Sequence, residues 1–86
     1  MRQGPDYFAD QELALVYIAT RLKEAQSLED YLTKANVDYL VEPDRYLGGT
    51  IFRRELMGAF FYVMPVDEER VRQMMPAGGF KPWKPQ

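Results

Sequence analysis

Residues 13–41 read LALVYIATRLKEAQSLEDYLTKANVDYLV: an apolar run, an amphipathic stretch, then a second short apolar run. Leu13 to Ala19 is seven apolar residues long and includes β-branched Val16 and Ile18, which predicts a strand buried on both faces. Ala25, Leu28, Leu32 and Ala35 follow at spacings of three, four and three, so they share one face of a helix. Thr20 is the expected N-cap, because its hydroxyl can accept an orphan amide of the first turn. Asn36 is the expected C′ residue, since asparagine tolerates the left-handed region, and Val37 would pack back on Leu32 in a Schellman ending. Asp38 to Glu42 reads as a second strand. Its flanking acids suit a sheet edge, and Pro43 is expected to end its ladder.

Outward from this unit, residues 44–58, DRYLGGTIFRRELMG, read as a long connection. Ala59 to Met64 is a third strand, apolar at both parities. A second helix is expected after Pro65. Asp67 would be its N-cap, Glu68 and Glu69 would suit the positive end of its dipole, and Val66 and Val71 would form a staple. Val71, Met74 and Met75 make its apolar stripe, and Pro76 with Gly78-Gly79 stops it. The order β-α-β-β-α predicts an α+β fold of the ferredoxin-like split β-α-β type. Its sheet would be three-stranded and mixed, with the third strand between the other two and both helices on one face. Residues 1–11 are expected to be a flexible N-terminal arm, 12–76 the α+β domain and 77–86 a C-terminal tail.

Composition narrows the chemistry. In 86 residues there is no cysteine and no histidine, which removes disulfides, Cys/His zinc sites and thiol or imidazole catalysis. The absence of cysteine fits a reducing cytoplasm, the expected compartment. The net charge is −2, which argues against a general electrostatic grip on nucleic acid. The longest apolar runs, Leu13–Ala19 and Leu56–Met64, fall short of the ~18–20 residues that span a bilayer, so no membrane partner is expected.

The stretches VYIAT (Val16–Thr20), EAQSLEDYLTKANVDYLV (Glu24–Val41) and FYVMPVDEERVRQMM (Phe61–Met75) together resemble a family of short bacterial proteins described as signal-transducing proteins of unknown function. That family has a ferredoxin-like core reminiscent of the PII signalling proteins. The resemblance covers about residues 13–75 and rests mostly on core and cap positions. It implies a regulatory or binding role and supplies no catalytic residue. The chain departs from the family pattern in its Arg-containing segment 44–58, its aromatic tail 80–83, and Asn36 where such proteins often have glycine.

Within segment 44–58, Arg45, Arg53 and Arg54 surround Gly48-Gly49. Glycines let backbone amides approach an anion, and guanidinium forks suit phosphate or carboxylate, so Arg45, Gly48, Gly49, Arg53 and Arg54 are the candidate ligand-binding residues. The plain alternative is a hairpin extension with solvated arginines, packed down by Tyr46, Leu47, Ile51 and Phe52. Asp67, Glu68 and Glu69 could in principle hold a hard cation, but a helix start explains all three, and no metal or cofactor is expected. Glu42 and Asp44 flank Pro43 without a defined facing geometry for acid/base work, and Ser27, the single serine, lies mid-helix. No catalytic residue emerges. Pro82 and Pro85 form a minimal PxxP spacing, while Phe80 and Trp83 are better placed to fold back on the domain. Tyr17, Phe60 or Phe61, and Tyr62 could stack bases, but no basic-aromatic RNA motif accompanies them, so nucleic acid is not expected as a partner.

The expected function is a small non-enzymatic regulatory module that binds a partner protein or small ligand. The alternative is a small enzyme or enzyme subunit with an anionic substrate at segment 44–58. Two helices cover only one face of three strands that are apolar on both, so a homodimer is expected, the alternative being that the arms at Tyr7-Phe8 and Phe80–Trp83 fold over the other face within one chain.

Overall fold

The structure is a computed structural model that describes residues 1–48 and 54–85, with Arg54 described by its backbone. Strand β1 (Ala14–Ala19), helix α1 (Leu22–Lys34), strands β2 (Tyr39–Gly48) and β3 (Arg54–Val63) and helix α2 (Pro65–Met74) follow in that order. Short 3₁₀ turns lie at Pro5–Phe8 and Met75–Gly78.

The sheet has the order β1-β3-β2. Both hydrogen-bonded pairs are antiparallel, so the sheet is antiparallel and not mixed. β1 and β2 do run in the same direction, but β3 separates them and no parallel ladder forms between them.

β2 does not stop at Pro43 but continues to Gly48, paired with β3 from Tyr39↔Val63 through Pro43↔Ala59 to Gly48↔Arg54. The described parts of segment 44–58 are therefore strand, not loop. Proline is tolerated because β2 is an edge strand: the side of residue 43 that lacks an N–H needs no neighbour. β1 ends opposite Ala59, so the β2–β3 ribbon runs on past it.

β1 carries a bulge. Leu15 faces Tyr62 and Tyr17 faces Phe61, leaving Val16 as the extra residue. The bulge lets both Val16 and Tyr17 serve the helix side, where Val16 is fully buried and Tyr17 packs on the core. The core joins Val16 and Ala19 of β1, Ala25, Leu28 and Leu32 of α1, Tyr39, Phe61 and Val63 of the sheet, and Val71 and Met75 from the second helical segment. Both helices therefore cover the same face. Phe8, Leu40 and Phe60 are buried outside this cluster.

The ends of α1 show which local signals prevail. Arg21, not Thr20, is the N-cap residue, with φ −135° and ψ 145° and no side-chain cap bond. Glu24 Oε1 instead accepts from the Thr20 backbone N–H at 3.2 Å. The far end is a Schellman motif as expected. Asn36 has φ 58°, its N–H reaches Thr33 O at 3.1 Å, and the Val37 N–H reaches Leu32 O at 3.0 Å. In α2 the expected cap is displaced. Pro65 takes the first helical position and Met64 is the N-cap residue. Asp67 sits inside the first turn, its own N–H donating to Met64 O at 2.9 Å. Val66 is 83% exposed, so it does not staple to Val71.

Both chain ends are held along sheet edges. Beside β2, Arg2 bridges to Tyr39, with Gln3 N–H donating to Tyr39 O at 2.8 Å. Tyr7 Oη donates to Asp38 at 3.0 Å. Beside β1, the Trp83 N–H donates to Val16 O at 2.7 Å. Arg72 donates to Leu15 O at 2.9 Å and to Trp83 O, and pairs with Glu68 at 3.0 Å. Phe80 lies between Tyr17 and Tyr31, at centroid separations of 5.8 and 5.6 Å.

Candidate functional site

The overhang of the ribbon creates an apolar cleft. Past Ala19, β1 no longer covers the ribbon, and α1 starts there with Arg21 and Leu22. The result is a groove of about 300 Å³ with a floor of Ala19, Ala25, Val41, Pro43 and Ala59. Leu22 and Met57 border it, and they are 75% and 60% exposed. Leu47, 66% exposed, lies on the same side of the ribbon, diagonal to Met57 in the register. Water at such side chains is a standing cost that a partner removes.

Cations rim this groove. Arg2 pairs with Glu29 at 3.5 Å. Arg21 makes no ion pair among the described residues, and it stands at the start of α1, where the helix dipole adds positive potential. An apolar floor beside an unpaired guanidinium suits a ligand that carries both an apolar side chain and an anionic group.

Of the five residues singled out in segment 44–58, the structure joins few. Arg45 pairs with Glu55 across the ribbon at 3.3 Å, with both side chains largely exposed. Gly48 stands opposite Arg54 in the register. The alternation of the ladder places positions 45 and 54 on opposite faces of the ribbon. Gly49 and Arg53 lie outside the described residues, as do Thr50, Ile51 and Phe52.

The other candidates find ordinary partners. Asp67 pairs with Arg70 at 3.4 Å, Glu68 with Arg72, and Glu69 accepts from Gln73 at 3.4 Å, so the acidic cluster is spread along its helix. The strand aromatics divide between faces: Phe61 stacks on Tyr39 on the helix side, and Phe60 on Tyr62 on the other. Burial pushes the Tyr62 phenol up, with Asp44 and Glu42 adding to the shift. Burial also raises Tyr39, whose hydroxyl donates to Glu29 O at 3.1 Å.

Sequence reasoning missed the groove because it lies between elements far apart in the chain. The available signal was Leu22, an apolar residue off the buried stripe of α1, next to Arg21. No helix among the described residues is long and apolar enough to cross a membrane. No family model, no curated protein and no solved structure matches the chain.

Proposed function

We propose that this chain is a non-enzymatic regulatory module that binds a partner protein in the groove between α1 and the overhanging ribbon. The observation that carries the reading is the pair of exposed apolar side chains, Leu22 and Met57, bordering an apolar floor beside Arg21. The occupant it fits is an extended segment that presents a large apolar residue next to a carboxylate. The order β-α-β-β-α, with β3 between β1 and β2, supports a ferredoxin-like reading without the usual last strand. The resemblance to the short bacterial signal-transducing proteins points to the same role.

The test is an NMR titration with a blocked Asp-Leu-Phe-Glu peptide. Shifts should concentrate at Ala19, Thr20, Leu22, Met57 and Gly58, and Arg21→Glu should remove them. Shifts scattered over the surface, or binding indifferent to Arg21→Glu, would reject the groove as the site.

A further inference from the structure

The outer edge of β2 runs between two clefts, and its backbone is only partly occupied. Tyr39 turns its N–H and C=O away from β3, in a parallel bridge with Arg2: the N–H donates to Met1 O at 3.2 Å, and the C=O accepts from the Gln3 N–H at 2.8 Å. Strand alternation gives Val41 and Pro43 the same outward aspect. A continued bridge would have the Val41 N–H donate to Gln3 O and the Val41 C=O accept from position 5. Pro5 has no N–H to give, and it opens the 3₁₀ turn that carries the chain off the edge. Among the described residues no backbone hydrogen bond from this arm reaches Val41. Further along, Pro43 offers only its carbonyl, and the Arg45 N–H donates to Asp44 Oδ1 at 2.8 Å. The open groups are therefore the N–H and C=O of Val41 and the C=O of Pro43.

The clefts on either side of this stretch share Arg2, Val41 and Pro43. One is the groove on the helix side. The other, about 530 Å³, lies between Gly4-Pro5 and residues 40–43 and is lined by Leu40 and Glu42. Successive side chains of a strand point to opposite faces, so a strand laid on this edge would fill both clefts in alternation. The two clefts differ in charge. Arg21 lines the groove, whereas Glu42 lines the second cleft and Asp44 follows it at the same parity. None of these three side chains makes an ion pair among the described residues.

We propose that the partner segment binds as a fourth strand on the outer edge of β2, at Val41 to Pro43. Its apolar and acidic side chains occupy the parity that enters the groove, and its basic side chains occupy the parity that faces Glu42 and Asp44. The proposal rests on the groove as the binding site and adds how the segment is held there. Run in either direction, the segment accepts from the Val41 N–H and donates to the carbonyls of Val41 and Pro43. On the groove face, the apolar residue and the carboxylate that Arg21 attracts then stand two positions apart, with a basic residue between them. The donors missing at Pro43 and Arg45 keep the added strand short, so this edge takes a segment rather than a whole sheet.

The test is an NMR titration of the whole chain with the blocked peptide Lys-Glu-Lys-Leu-Lys-Glu-Lys, whose alternation is the same from either end, and with its singly N-methylated versions. Each methyl group removes one N–H from the ligand and leaves the protein untouched. Around the central leucine, methylation at one parity should weaken binding at least about fivefold, the equivalent of one net hydrogen bond, and at the other less than about twofold. Val41→Pro removes the outward N–H and spares the β2–β3 ladder, as Pro43 does, and should also weaken binding at least about fivefold. Glu42→Lys should reverse the preference of the chain for this peptide over one with lysine and glutamate exchanged. Shifts in the groove that respond to Arg21→Glu, with a flat methylation scan and no response to Val41→Pro, would overturn strand addition and leave the groove as the site. An alternating scan indifferent to Arg21→Glu would support strand addition and reject the groove. The absence of saturable shifts at millimolar peptide would overturn both.

Discussion

Arg72 joins three parts of the chain, and its replacement by methionine has a size that can be worked out. Methionine keeps most of the apolar stem and removes the guanidinium. The lost partners are Glu68, Leu15 O and Trp83 O. The Glu68 pair is a spacing-of-four helix pair with a partly exposed carboxylate, worth about 0.3–0.5 kcal/mol. The two carbonyl contacts are charge-assisted, and enclosed bonds of that kind contribute about 1.5–3 kcal/mol each. These lie at the sheet edge and the side chain is 23% exposed, so water recovers part of them, leaving roughly 1 kcal/mol apiece. The sum is near 2–2.5 kcal/mol. In a domain this small each kcal/mol moves Tm by about 4–8 °C, so Arg72→Met should melt roughly 10–15 °C lower. Trp83 is the sole tryptophan, and its emission reports the tail directly. It should shift to the red in the variant at temperatures where the far-UV dichroism is still native. Arg72→Lys should restore less than half of the loss, because a single ammonium cannot span three acceptors. A fall of under about 3 °C with unchanged emission would show that Phe80 and the Trp83 N–H hold the tail without the guanidinium.

Asn36→Ala should cost about 1 kcal/mol in urea unfolding, since alanine at φ 58° meets the left-handed penalty and Asn36→Gly does not. Gly58→Ala should cost about 1–2 kcal/mol, because a Cβ there would stand 2.9 Å from Ile18 and 3.1 Å from the Tyr46 ring. Asp67→Ala should move the urea midpoint by less than about 0.5 kcal/mol equivalent, since Asp67 caps nothing and its Arg70 pair is at the surface. Tyr17, Tyr39 and Tyr62 all titrate above the ordinary tyrosine value, with burial the leading cause. The unfolded chain therefore releases those protons first. Stability should hold below about pH 10 and fall as pH rises through the raised values, and Tyr39→Phe should flatten that fall.

The helix-side core was readable from sequence because periodicity is a local signal. The stripe Ala25, Leu28, Leu32 and the ending at Asn36 need only a dozen neighbouring residues to define them, and they stand as expected. Pro43 misled because a proline breaks a ladder only where its missing N–H is needed, and that depends on whether a strand lies beyond it. Asp67 misled for a similar reason: Pro65 fixed the helix start two residues earlier, so a good cap residue became an interior one. The groove was hidden because its floor draws on β1, α1, β2 and β3 at once. Of the arginines, Arg45 meets Glu55 across a ladder whose existence the glycines at 48 and 49 obscured.

The bulge at Val16 also bears on how this chain avoids polymerising. A straight, free β1 edge would offer the next molecule a row of donors and acceptors, and each added strand would offer the same row again. The bulge breaks that row's spacing, and the Leu15 and Val16 carbonyls it leaves are taken by Arg72 and Trp83. Strand addition at the β1 edge is thereby blocked. A chain shortened before Trp83 would lose that stop, and its β1 edge would become a seed for open-ended assembly.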